Sequence, residues 1–445
     1  MRNLIAILAL VPLVACNGGE ETGDTHDSNT PDDTNTLDDT GNVADCVEEG
    51  GACVLSGTYT EDMVLTSDKA WLLRSAVIIG DDVNETTLRI QPGTRIYGES
   101  ATNGLLIISR HANIVAEGTV SAPIVFTSDQ PVGSRARGDW GGLVINGLGK
   151  INACTDGSTP CEAEGEGGTG TYGGSDNADD SGSLKYVVIE FGGTEISKAN
   201  EVNGLGLQGV GSGTTLDYIQ VHNTLDDCIE FWGGAVNATH LVCTSPGDDG
   251  IDWDLGYQGK IQFAVVQQIL GGGNNGFEGD NNPDDYAAEP LTTPTIVNVT
   301  LVGDEALKED NFGMLIRKGT QPKLQNLAVM DFSKACLSLR DSETLSGFTS
   351  GDAWITHSVL ACASAFEDTD EEPIFTGGEG NSIAPDLGLV DPLNPSAPDF
   401  RLKSGSVLAT GGEAPSDSFF QQVSYKGAFD ATNDWTAGWT HHDED

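Results

Sequence analysis

Three short stretches carry most of the side chains that could do chemistry: DDCIEFWGG (226–234), DDGIDWDLG (248–256) and NNGFEGDNN (274–282). The second packs four aspartates, Asp248, Asp249, Asp252 and Asp254, around one Ile and one Trp, with no cation. Carboxylates this close repel one another, so water, a bound cation or a catalytic task must account for them. Aligned at offsets of 22 and 26 residues, the stretches form columns. One is Asp227, Asp249 and Asn275; another is Glu230, Asp252 and Glu278; Ile229, Ile251 and Phe277 lie between them. In a strand the apolar column points inward and Glu230, Asp252 and Glu278 point outward. Asp227, Asp249 and Asn275 are expected at a corner, capping backbone N–H groups as stacked Asn ladders do.

Three chemistries suit the outward column. The plainest is a solvated acidic strip. Calcium is the alternative, because it takes six to eight oxygens at about 2.4 Å. Its ligands would come from Glu230, Asp248, Asp252, Asp254, Glu278 and Asp280. A catalytic pair is the third, since inverting glycoside hydrolysis needs two carboxyls roughly 6.5–9.5 Å apart, and Asp249 with Asp252 is the candidate pair. A lyase would instead need a cationic base beside a calcium ion, and Arg317, Lys318 and Lys260 are the candidates. DNNPDD (280–285) begins like an EF-hand loop, but Asp285 stands where Gly is required and Leu291 where Glu is, so it is not one. There is no G-x-S-x-G elbow and no P-loop lysine.

The elements that must hold these residues are short β-rich runs such as PIVFTS, YVVIEFGG, LDYIQVHN and TIVNVTLVG, separated by Gly, Asn, Asp and Ser. Helical periodicity is nearly absent, and the 58 glycines fit frequent corners. Repeats of 22 to 26 residues built of strand and turn are the signature of a stacked solenoid. The expected fold is all-β: a right-handed parallel β-helix over 46–425, with capped ends and a long loop insertion at 152–183. Within that insertion Tyr172, and on the coils Trp232 and Tyr257, either pack or offer stacking surfaces. Trp435 and Trp439 suit a cap over the last coil, within a C-terminal segment 426–445 that ends in a frayed tail.

The N-terminus reads as an address. Residues 1–15 combine Arg2 with a short apolar run, as a signal peptide does. LVAC (13–16) resembles the bacterial lipobox, which implies cleavage before Cys16 and a lipid on that cysteine. Asn17 in such lipoproteins implies the outer membrane. Residues 17–45 hold nine acidic side chains and no Lys or Arg, so 16–45 is expected to be a disordered tether. The other eight cysteines, Cys46, Cys53, Cys154, Cys161, Cys228, Cys243, Cys336 and Cys362, are an even number in an exported chain, which favours disulfides. Pairing neighbours is the simplest scheme, although spacing does not settle connectivity. No pair has the CxxC spacing of a zinc site.

The formal charge is −47, from 68 acidic residues against 21 Lys plus Arg. That excludes nucleic acid and anionic membrane surfaces as partners, and leaves cations, basic proteins and glycans.

RGDWGGLVING (137–147), LKYVVIEFGG (184–193), NEVNGLGLQGVGSGTTLDYIQV (200–221) and FDATNDWTAGWT (429–440), with PIVFTS and the DD repeats, resemble uncharacterised bacterial surface lipoproteins with a pectin-lyase-like β-helix. The resemblance spans roughly 88 to 440. It implies the fold and the cell surface, and brings no activity with it. NTLDDC (223–228) also resembles the Asp elements of the polygalacturonases, but no GHG follows it, and RKG (317–319) is only a loose match to their RIK. The expected function is a lipid-anchored envelope β-helix that binds a partner protein or glycan, with calcium on its acidic coils. A polysaccharide lyase or glycoside hydrolase is the second reading and a structural spacer the third.

Overall fold

Strands too short to make a sheet alone are stabilised here by stacking, each on its counterpart one coil away. The computed structural model describes residues 42–197, 200–269, 272–306 and 311–442. Signal peptide, Cys16 and tether lie outside the described residues. The described chain is a right-handed parallel β-helix. The repeat offsets read from the sequence are its strand registers, Ile229 opposite Ile251 and Ile251 opposite Phe277.

Each central coil has three faces. The first face is the parallel stack Leu105–Ile108, Gly142–Asn146, Leu205–Gln208, Ile229–Trp232, Ile251–Asp254, Asn275–Gly279, Phe312–Ile316 and Ala335–Leu339. The other two come from one bent strand per coil: Thr215–His222, Asn237–Thr244, Lys260–Gln267, Thr295–Val302 and Lys323–Met330. The bend is a single left-handed residue at the same place each time, Tyr218, His240, Phe263, Asn298 or Asn326, with φ of 54–60°. Tyr186 occupies the same place one coil earlier, in Gly182–Glu190. Left-handed backbone is strained for such residues, and stacking offsets it. Tyr186 stacks on Tyr218 at 4.4 Å between ring centroids, Tyr218 on His240 at 4.1 Å, and His240 on Phe263 at 5.2 Å.

The interior is a continuous apolar column that includes Ile229, Phe231, Ile251, Trp253 and Phe277, all fully buried. Four disulfides join neighbours in sequence: Cys46–Cys53, Cys154–Cys161, Cys228–Cys243 and Cys336–Cys362. The helix Glu371–Gly377 seats a fully buried Phe375 in the core at the C-terminal end of the coils.

The C-terminal segment departs from expectation. Trp435 and Trp439 do not close the last coil. The segment from about residue 384 runs back along the outside of the third face, where Phe400, Phe429, Trp435 and Trp439 cover Val188, Val242, Val265 and Ala328. That face is apolar on both sides, so something must cover it. Side-chain amides on separate coils grip the passing backbone from both directions. Gln262 donates to the Gln421 carbonyl (2.9 Å) and accepts from its N–H (2.7 Å). Gln220 does the same to His441, at 2.6 and 2.7 Å. His441 is therefore held in place, not frayed.

Candidate functional site

The acidic stretches fall on the first face. Strand register sets Glu230 opposite Asp252 and Asp252 opposite Glu278, so the column read from the sequence is a physical ladder. One oxygen each from Asp249, Asp252 and Glu278 lie within 4.8 Å of one another. The same holds for Asp227, Glu230 and Asp252, and for Asp226, Asp227 and Asp248. A second rank flanks the ladder, with Asp254 ending one strand and Asp280 just past the end of the next.

The corner column caps backbone. The Asp227 N–H donates to Asn203 Oδ1 (3.1 Å), the Asp249 N–H to Asp227 Oδ1 (2.7 Å), and the Asn275 N–H to Asp249 Oδ1. Asn203 is a rung that the sequence alignment missed, because its stretch, NEVNGLGLQG, lacks the paired acids. Its Nδ2 also donates to Glu230 (2.6 Å), and Asn275 Nδ2 donates to Glu278 (3.0 Å). Cap and ladder are thus joined at both ends. Asp249 is buried, and its Oδ1 is committed to the Asn275 backbone N–H.

The outward column is not an open strip. Asp252 Oδ1 and Asp254 Oδ1 reach neither solvent nor a hydrogen-bond donor, an arrangement that is costly for a carboxylate. Burial pushes Glu230, Asp252 and Asp254 well above the usual carboxylate range, and the charges of Asp252, Glu278 and Asp280 respectively push them further. Asp226 is pushed up to about 8, by burial and then by Asp248. Glu278 also rises through burial, although Arg317 opposes the shift.

Two elements bound the ladder. From the insertion, Tyr172 packs with Ile151 and Trp232, and Thr169 meets Gln208 (3.3 Å). Glu166, pushed up to about 7 by burial and by Glu201, adds its charge to Asp226, Glu230 and Asp254. Tyr172, Trp232 and Tyr257 are buried, so they pack and offer no stacking platform. On the opposite side Arg317 Nε meets Asp280 (2.9 Å) and its Nη2 meets Glu278, while Lys318 Nζ meets Asp280 (2.7 Å). The sequence shows both cations as neighbours of the acids only loosely, because a crossing of more than thirty residues separates them. Lys260 points elsewhere, to Asp417. DNNPDD is pinned to the base of the insertion, where Asn152 Nδ2 donates to Asn281 (2.9 Å) and Asn282 Nδ2 to the Asn152 carbonyl (2.9 Å).

Of the six expected ligands, Glu230, Asp248, Asp252 and Glu278 fall in these oxygen clusters; Asp254 and Asp280 fall in none of them among the described residues, and Asp280 is paired with Arg317 and Lys318. Oxygens 4.8 Å apart are the widest that an ion bound at about 2.4 Å can bridge. The orphaned Asp252 and Asp254 oxygens suit a hard cation, and an all-oxygen set suits calcium better than a transition metal.

No curated protein and no solved structure matches the chain. The sequence model described as a pectate-lyase-like β-helix domain matches residues 57–379. With the parallel coils and the ladder they carry, that match over most of the chain means that it belongs to the pectate-lyase-like β-helix family.

Proposed function

We propose that the protein is a lipid-anchored cell-envelope β-helix that binds calcium along the first face and, through it, a glycan or an envelope partner. The observation that carries the reading is the pair of buried oxygens, Asp252 Oδ1 and Asp254 Oδ1, with no donor to satisfy them in a column of stacked carboxylates. Without a cation such a column must hold protons at neutral pH. With one, the same oxygens become ligands. The Cys16 lipid and the acidic tether would place this face outside the membrane. Among the described residues no helix is long and apolar enough to cross a membrane.

Calorimetric titration of the EDTA-stripped protein with CaCl2, followed by glycan-array binding with and without calcium, tests both halves. Saturable heat and calcium-dependent glycan retention are expected. Absence of saturable heat up to millimolar calcium refutes the cation half, and glycan binding indifferent to EDTA refutes the coupling.

The second reading is a polysaccharide lyase. It is favoured by the family fold and by Arg317 standing beside Glu278, which gives the acidic groove a cationic wall. As Arg317 is committed to two carboxylates, substrate would have to displace one of them before the guanidinium could act. Unsaturated products released from a polyuronate, and lost in Arg317→Ala, would establish it.

A further inference from the structure

The tail that runs back along the third face ends over a different pocket. Arg95 and Tyr97 from the strand Arg95–Gly98, Arg135 from a loop further along the chain, Glu190 and Phe191 from the end of Gly182–Glu190, and His441 from the tail line a cavity of about 470 Å³. Volume and lining fit a small-molecule site, with apolar walls and a few convergent polar groups. Two of the 21 cationic side chains in a chain of charge −47 meet here, with a histidine.

Arg95 is exposed and has no carboxylate partner among the described residues. Arg135 lies with its guanidinium 6.0 Å from the centre of the Phe191 ring, and its Nε donates to the Gln130 carbonyl (3.2 Å), which orients its plane. Glu190 is buried and occupied from within: His441 Nδ1 lies 2.6 Å from its Oε1. The one carboxylate among the lining residues is thereby turned to the imidazole, and His441 itself lines the cavity. Glu190 orients the ring as carboxylates orient catalytic and ligating histidines. The grip of Gln220 on the His441 backbone fixes the same residue from the other side.

We propose that this pocket binds a small oxyanion-bearing molecule, a carboxylate or phosphate ester, held by Arg95 and Arg135 and by His441. Guanidinium groups recognise both oxyanions through paired N–H donors, and Tyr97 and Phe191 give the ligand an apolar wall. The site is independent of the acidic face: it lies on another side of the coils and shares no residue with the ladder.

The test is calorimetric titration of the intact protein with D-glucuronate, inorganic phosphate and, as neutral control, D-glucose. Binding of one or both anions, weakened at least tenfold in Arg95→Ala with an unchanged melting temperature, is expected. The preferred anion identifies the source. Because the Arg95 side chain is exposed and has no carboxylate partner among the described residues, its removal leaves the fold intact, and Asp252→Asn should leave this binding unaltered. A second readout is the His441 side-chain NMR signal, which should shift with the anion in the wild type and not in Arg95→Ala. No heat and no shift with either anion at millimolar concentration, equal binding of D-glucose, or undiminished affinity in Arg95→Ala would overturn the proposal.

Discussion

Replacing Asp252 with Asn should have opposite consequences with and without calcium. Asp252 stands between Glu230 and Glu278 in the ladder, with an oxygen within 4.8 Å of one on each. At an effective dielectric near 20, two unit charges at 4.8 Å repel by about 3.5 kcal/mol. Raised pKa values mean that the folded protein holds protons that the unfolded chain releases. Stability is then greatest below the ordinary carboxylate range and falls as pH rises through the raised values, up to about 8 for Asp226. Removing one charge relieves that loss where the column is ionised and changes little where it is already protonated. In EDTA, Asp252→Asn should therefore raise the melting temperature at about pH 9 and leave it almost unaltered at about pH 5. Unfolding entropy near 2.1 cal/mol/K per residue over roughly 400 residues makes 3 kcal/mol worth about 3–4 °C. In calcium the sign reverses, because the variant has lost a ligand. Wild-type stabilisation of about 2.7 kcal/mol at a hundredfold excess over Kd should shrink or vanish. Differential scanning calorimetry across pH, with EDTA or CaCl2, reads both effects. A variant less stable than wild type in EDTA at high pH, or one keeping the full calcium shift, would refute the reasoning.

Asp249→Asn keeps an oxygen for the Asn275 N–H and should be tolerated, whereas Asp249→Ala should cost about 1–3 kcal/mol in urea denaturation, because that buried N–H loses its acceptor. Trp439→Ala should lose about 3–5 kcal/mol of tail docking, read by the same method, with exposure of the third face reported by dye binding. Gln262→Ala unpairs both the N–H and the carbonyl of Gln421, so hydrogen exchange should quicken around that residue while the strand Lys260–Gln267 stays protected.

The coil was legible because its signal is periodic. Ile229, Ile251 and Phe277 recur with their acids at offsets that strand stacking reproduces residue for residue. The corner role of Asp227 and Asp249 was legible from parity alone, since residues of inward parity with charge must turn back to the backbone. What covers the coils was not. Continuous apolar runs such as FAVVQQ mark a strand buried on both sides without naming its cover, and the cover lies more than 120 residues on, in a tail whose two Trp read as an end cap. The solvation of the acidic column was misjudged for a similar reason: burial of Asp252 Oδ1 depends on neighbouring coils and on the insertion, which no local spacing encodes.

Those covers bear on where the protein can act. A β-helix offers long outer faces, and each must be solvated, covered or used. The third face is covered by the protein's own tail, gripped by amides on several coils. On the first face Tyr172 of the insertion and Ile151 just before it pack over Trp232. Beside that contact lies the ladder, half-buried, flanked by Arg317 and crossed by no tail among the described residues. The sequence invests two long segments in hiding apolar surface, yet leaves these half-buried carboxylates uncovered by the tail, with Asp252 Oδ1 and Asp254 Oδ1 meeting no donor. The coil does not need charge at this position: Gly206 stands opposite Glu230 one coil before the ladder, and Leu315 opposite Glu278 one coil after it. Charge on three successive rungs, Glu230, Asp252 and Glu278, between uncharged neighbours is what the proposed cation would use and what a bare scaffold would not need.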